Sequence, residues 1–99
     1  MIVKLTESFV VWLTNLKDER ARARIVARLD RLAMGNPGDV KPVGQGMSEM
    51  SIDYGPGYRV YFVQRGDTLI VVLAGGNKKS QSKDIELALK AAANLETVE

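Results

Sequence analysis

Hydrophobic positions along the chain change period several times, and each change marks an element. Residues 1–5, "MIVKL", alternate enough for a short opening strand. Thr6 can cap the next segment, where Phe9, Trp12, Leu13 and Leu16 fall at i, i+3, i+4 and i+7, the single buried stripe of a helix. Residues 15–17 read as a break. Asp18 can cap a second helix with Ile25, Leu29 and Leu32 on its inner face, closed by Gly35, Asn36 and Pro37. Two amphipathic helices joined so briefly form a helical hairpin.

From residue 38 to 46 the glycines and Pro42 read as a loop. Three strand patterns follow: "MSEMSID", "YRVYFVQ" and "TLIVVLA". "YGPGY" joins the first two as a rigid turn, and Arg65-Gly66-Asp67 joins the last two as a tight hairpin. Strands linked so tightly can form only an antiparallel meander. The final helix is predicted over residues 80–95, with a narrow alanine-rich stripe of Ile85, Ala88, Leu89 and Ala92, and the tail "ETVE" is read as frayed. The predicted class is α+β, in the order βααβββα, with the hairpin and C-terminal helix packed on a mostly antiparallel sheet. With 99 residues and no internal repeat or linker, one domain over 1–99 is expected.

Composition narrows the chemistry. There is no cysteine and no histidine, which removes disulfides, thiolate nucleophiles, the usual zinc ligands and a histidine base. No metal or cofactor is expected. Nothing approaches about 18 uninterrupted apolar residues, and the N-terminus lacks the marks of a signal peptide, so the expectation is a cytoplasmic protein with no membrane contact. A net charge of +2 points only weakly to an anionic partner, so the placement of the cations has to decide.

Arg20, Arg24, Arg28 and Arg31 form one stripe on the outer face of the second helix, either a solvated face balanced by Asp18, Glu19 and Asp30 or a surface for nucleic acid or an acidic peptide. In the middle strand Tyr58, Val60 and Phe62 point to one face, while Arg59, Tyr61 and Val63 point to the other. Arg59 directly follows the "GPGY" turn, a place to hold a guanidinium against a phosphate or to pair it with Glu49 or Asp53. At residues 75–84, "GGNKKSQSKD", two glycines can bend the backbone toward a ligand, and Lys78, Lys79 and Lys83 crowd a helix start whose N–H groups favour anions. A solvated loop is the plainer reading. Lys41 and Gln45 in the loop, Arg59 and Tyr61 on the sheet, and the three lysines would together make a basic hollow suited to RNA, with a base stacked on Tyr61 or on an arginine plane.

The hairpin "FVVWLTNLKDERARARIVARLDRLAMGNPGD", the phrase "IDYGPGYRVYF" and the ending "LAGGNKKSQSKDIELA" resemble the RelE/ParE superfamily of type II toxins, most closely its HigB-like group of addiction module killer proteins. The resemblance runs from about Phe9 to Leu95. It implies a RelE-like, microbial-RNase-like fold and ribosome-dependent cleavage of messenger RNA that halts translation. It also implies a cognate helix-turn-helix antitoxin, with operator DNA bound only through the toxin–antitoxin complex. By resemblance, Arg59 contacts the scissile phosphate, and Lys78, Lys79 and Lys83 match the basic segment before the last helix. Active relatives often carry a tyrosine or histidine there, whereas this chain offers Lys83 and Asp84.

The chemistry expected is metal-independent transesterification by an endoribonuclease: a base takes the 2′-proton, the oxygen attacks phosphorus, and cations hold the dianionic intermediate. A crowded lysine would serve as base and Arg59 as the main electrostatic stabiliser. Two other readings stay open: a ParE-like toxin that inhibits a topoisomerase, and an antitoxin-binding module with weak or no catalysis.

Overall fold

The chain leaves its first strand, β1 (Ile2–Leu5), at Thr6, whose Oγ1 accepts from the Phe9 N–H and starts α1 (Glu7–Thr14). Asp18 accepts from the N–H groups of Arg20 and Ala21 and starts α2 (Glu19–Ala33). Gly35, at φ +84°, takes the left-handed conformation that ends this helix. The computed structural model describes residues 1–98.

Residues 40–44, expected in a loop, form a strand, β2 (Val40–Gly44), paired with β3 (Met47–Ile52). β2 is at the edge of the sheet, where Pro42 is tolerated because its missing N–H faces no second neighbour. β4 (Tyr58–Arg65) and β5 (Leu69–Asn77) complete the meander. The five strands lie in the order β1-β5-β4-β3-β2, with β1 parallel to β5 and the other neighbours antiparallel. The element order is therefore βααββββα, one strand more than expected, within the same α+β class. A 3-10 turn (Lys78–Ser80) leads into α3 (Gln81–Val98). The last helix thus runs through most of the tail that was read as frayed, and Glu99 lies outside the described residues.

Helices cover both faces of the sheet. Phe9, Ile25, Leu29 and Leu32 of the hairpin pack on Met50, Ile52, Val60, Phe62, Ile70 and Val72. Ala88 of α3 joins Met47, Tyr61, Val63, Val71 and Leu73 on the other face. The alternation in β4 is as read, but the Arg59–Tyr61–Val63 face is also roofed, by α3.

The double glycine sits inside β5 and makes no bend. A Cβ on Gly75 would fall inside the Trp12 ring of α1, and one on Gly76 would fall on the Asp84 carboxylate of α3. Each glycine is the gap that lets one helical layer close down on the strand. Asn77 then ends the strand with a capping box: its Oδ1 accepts from Lys79 and Ser80 N–H, and its own N–H donates to Ser80 Oγ.

Candidate functional site

Strand register sets the site. Ser51, Arg59 and Gly76 lie opposite one another on β3, β4 and β5, and Lys41, Glu49 and Tyr61 form the neighbouring row on β2, β3 and β4. The centre is Glu49, a carboxylate with no exposed surface. Its Oε1 lies 3.5 Å from Arg59 Nε and 3.7 Å from Lys41 Nζ, and its Oε2 accepts from Gln81 Nε2 at 2.7 Å. One acid therefore ties β2, β4 and the start of α3 together. The hydration a carboxylate loses at this depth is offset by such partners.

Arg59 is held on its other side by the turn before it. Its Nη1 donates at 3.3 Å to the carbonyl oxygens of Gly57 and Tyr58. A Cβ on Gly57 would stand 3.4 Å from this same Nη1 and 3.6 Å from Lys78 Cβ, so Arg59 and Lys78 flank the bare glycine. They open into a cleft of about 440 Å³ lined by Asp39, Ser51, Asp53, Gly55, Pro56, Gly57, Arg59 and Lys78. The cleft is polar, walled by backbone, and carries two cations and two carboxylates.

Not every residue of the expected hollow reaches this cleft. Tyr61 is fully buried under α3 and offers no ring to a base, which corrects the reading of it as a stacking surface. Its Oη, also buried, meets no partner within hydrogen-bonding geometry among the described residues. Burial first, and the Glu49 carboxylate second, push its phenol far above the ordinary tyrosine range. Gln45 is also misplaced. It forms the β2–β3 turn at φ +53°, and the register puts it six residues from Ser51, about 20 Å away at roughly 3.3 Å per residue. It lines a different cavity, with Met47, Val63 and Leu89. Lys41 is in the Glu49 cluster.

Among the three lysines only Lys78 lines the Arg59 cleft. Lys79 and Lys83 are exposed beside it along the chain, and their side chains make no ion pair or hydrogen bond among the described residues. The N–H groups at this helix start, expected to be open to an anion, are taken by Asn77. Asp84 faces inward over Gly76, where Ser80 Oγ donates to it, so it is a structural contact. Sequence reasoning had named Glu49 only as one alternative partner of Arg59, and it missed Gln81. The spacing of Gln81, Asp84, Ile85 and Ala88 on one side of α3 was the available signal.

On the opposite face, Arg28 of the arginine stripe donates to the carbonyls of Ser51 and Pro37 at 2.8 and 3.1 Å, which fixes α2 to the sheet. Arg24 lies over Tyr54, its Cζ 4.7 Å from the ring centroid.

A family model described as "Phage derived protein Gp49-like (DUF891)" matches residues 11–95, which takes in every residue of the Glu49 cluster and all but the first elements of the fold. The chain belongs to the Gp49-like family. Gp49-like proteins are associated with toxin–antitoxin modules. An uncharacterized protein of Haemophilus influenzae is 46% identical over 93 residues, spanning 94% of this Gp49-like chain and 94% of that protein. No helix among the described residues is long and apolar enough to cross a membrane.

Proposed function

We propose that this Gp49-like protein is the toxin of a type II toxin–antitoxin pair, a HigB-like member of the RelE/ParE superfamily, acting in the cytoplasm as a single domain over 1–99. Its reaction is cleavage of ribosome-bound messenger RNA without a metal. The observation that carries this reading is that Arg59 and Lys78 flank Gly57 and line the same polar cleft. Arg59 is braced by Glu49 and the 57–58 carbonyls, so a guanidinium edge can meet a phosphate with little reorganisation. Lys78, on a flexible stem at the rim, acts from its minor uncharged amine form and takes the proton from the 2′-hydroxyl. The 2′-oxygen forms a bond to phosphorus, the bond to the 5′-oxygen breaks, and that oxygen takes a proton from water while Lys78 gives its proton back to solvent, leaving a cyclic 2′,3′-phosphate end and a 5′-hydroxyl. Lys79 and Lys83 add charge along the path of the RNA backbone. The ribosome supplies alignment, a large part of such a rate enhancement. The partner that restrains the toxin is a helix-turn-helix antitoxin.

One observation favours a second reading. The Arg59 charge is already matched by a buried carboxylate, and the tyrosine on its own face of β4, Tyr61, is enclosed. Such a site also suits a module that binds the antitoxin and cuts nothing. Induction in a host lacking the antitoxin separates the two. Wild type should arrest growth and protein synthesis, and Arg59→Ala should grow freely at equal protein level. Arrest by Arg59→Ala, or growth with wild type, would overturn the nuclease reading.

A further inference from the structure

Arg24 and Tyr54 form a cation–π pair that the cleft chemistry does not use. Tyr54 is fastened on three sides: its ring packs against the hairpin core, its Oη reaches Asp18 Oδ1 at 3.4 Å, and its carbonyl accepts from Gly57 N–H at 3.1 Å. Arg24 is exposed and pairs with no carboxylate among the described residues, although Asp18, Glu19 and Asp30 share its helix region. Its neighbours behave differently. Arg22 is spent on the Leu16 carbonyl and Glu19, and Arg28 on two further carbonyls. Arg24 instead has its guanidinium carbon over the Tyr54 ring and remains exposed to solvent. A weakly hydrated plane presented in this way is a stacking surface for another planar group.

Its position supplies the ligand. Arg24 lines a cavity of about 270 Å³ with Ala27, Arg28, Arg31, Ile52 and Asp53, and Asp53 is also a wall of the Arg59–Lys78 cleft. The two hollows therefore adjoin, and the turn beginning at Tyr54 forms part of the cleft's rim. Single-stranded RNA offers the matching chemistry, a phosphate for the cleft and an unpaired base one step away for the plane. Asp53 between them disfavours a second phosphate and accepts from a hydroxyl or an exocyclic amine.

We propose that Arg24, seated over the Tyr54 ring, is the platform on which a base of single-stranded RNA stacks beside the Arg59–Lys78 cleft. This assignment rests on the RNA reading above and replaces Tyr61 as the stacking element. It is tested with the full chain and two short, uncleavable probes of equal charge, a 2′-O-methyl oligouridine and its abasic counterpart. Wild type should prefer the base-bearing probe by about tenfold, the lower range of one stacked base. Arg24→Lys keeps the charge and loses the plane, so it should bring the two affinities together without changing that for the abasic probe. Tyr54→Phe keeps the ring and should keep the preference. Arg59→Ala should weaken both probes alike. Equal wild-type affinity for the two probes would overturn the platform and leave phosphate binding standing. So would an Arg24→Lys variant that loses both probes alike or changes neither. No binding of either probe by wild type would overturn the platform together with the RNA reading.

Discussion

Gly75→Ala would drive a methyl group into the half-buried Trp12 ring, which would have to shift to admit it. It is packed against Phe9 at 5.7 Å and Tyr58 at 6.2 Å between centroids. The substitution should cost about 1–3 kcal/mol, the usual range for overpacking, read as a lower urea midpoint. Tyr61 makes a different demand. Its proton is held more tightly in the folded chain than at the ordinary tyrosine value near 10. Below that value both states are protonated and the stability it contributes is fully present. As pH rises past about 10, the unfolded chain loses the proton first and stability falls. Unfolding of wild type and Tyr61→Phe compared at pH 8 and pH 11 should show wild type losing more over that interval, and equal losses would contradict the enclosed phenol. Burial of this residue was hard to read from its strand pattern. A narrow helix stripe of Ala88 and Ala92 lets α3 sit close to the sheet, and that closeness is what shuts Tyr61 in.

At the scale of elements, Glu49 fastens α3 to the sheet and also sets the charge of the cleft. Glu49→Gln keeps a group able to bond Gln81 but removes the negative charge between Arg59 and Lys41. Lys41 is 63% exposed and contributes little, while Arg59 is 17% exposed and regains some water through the cleft. Stability should therefore fall by about 1–3 kcal/mol, short of the full cost of an uncompensated buried charge. Affinity for RNA should rise at the same time, because both cations lose their internal competitor. A variant with both stability and affinity unchanged would show that Glu49 is not the hub. The helical hairpin, the meander and the last helix were legible, since caps and periodic stripes are local signals. β2 was not, because Gly and Pro42 hide an edge strand held mainly by pairing with β3. That omission displaced Gln45: a loop could bring it to Lys41, but a strand carries it to the far hairpin.

For the whole molecule, a radius of gyration of 12.4 Å matches about 13 Å for a compact chain of this length. Hairpin and α3 close on opposite faces of one sheet, and the cleft opens at the end where β3, β4 and β5 present Ser51, Arg59 and Gly76. The meeting of Arg59 with the lysine segment was foreseeable because antiparallel neighbours exchange ends. Glu49 at its centre depends on three strands and a helix converging, which no local spacing encodes. A small net charge is compatible with RNA binding only if the cations gather, and Arg59, Lys78 and the exposed Lys79 and Lys83 lie at one end of the sheet. The most direct test is to map messenger RNA 5′ ends after induction of wild type and of Arg59→Ala. The expected result is a set of new 5′-hydroxyl ends within translated regions for wild type and none for the variant. Growth arrest with intact messages, or with DNA damage preceding any loss of protein synthesis, would contradict it.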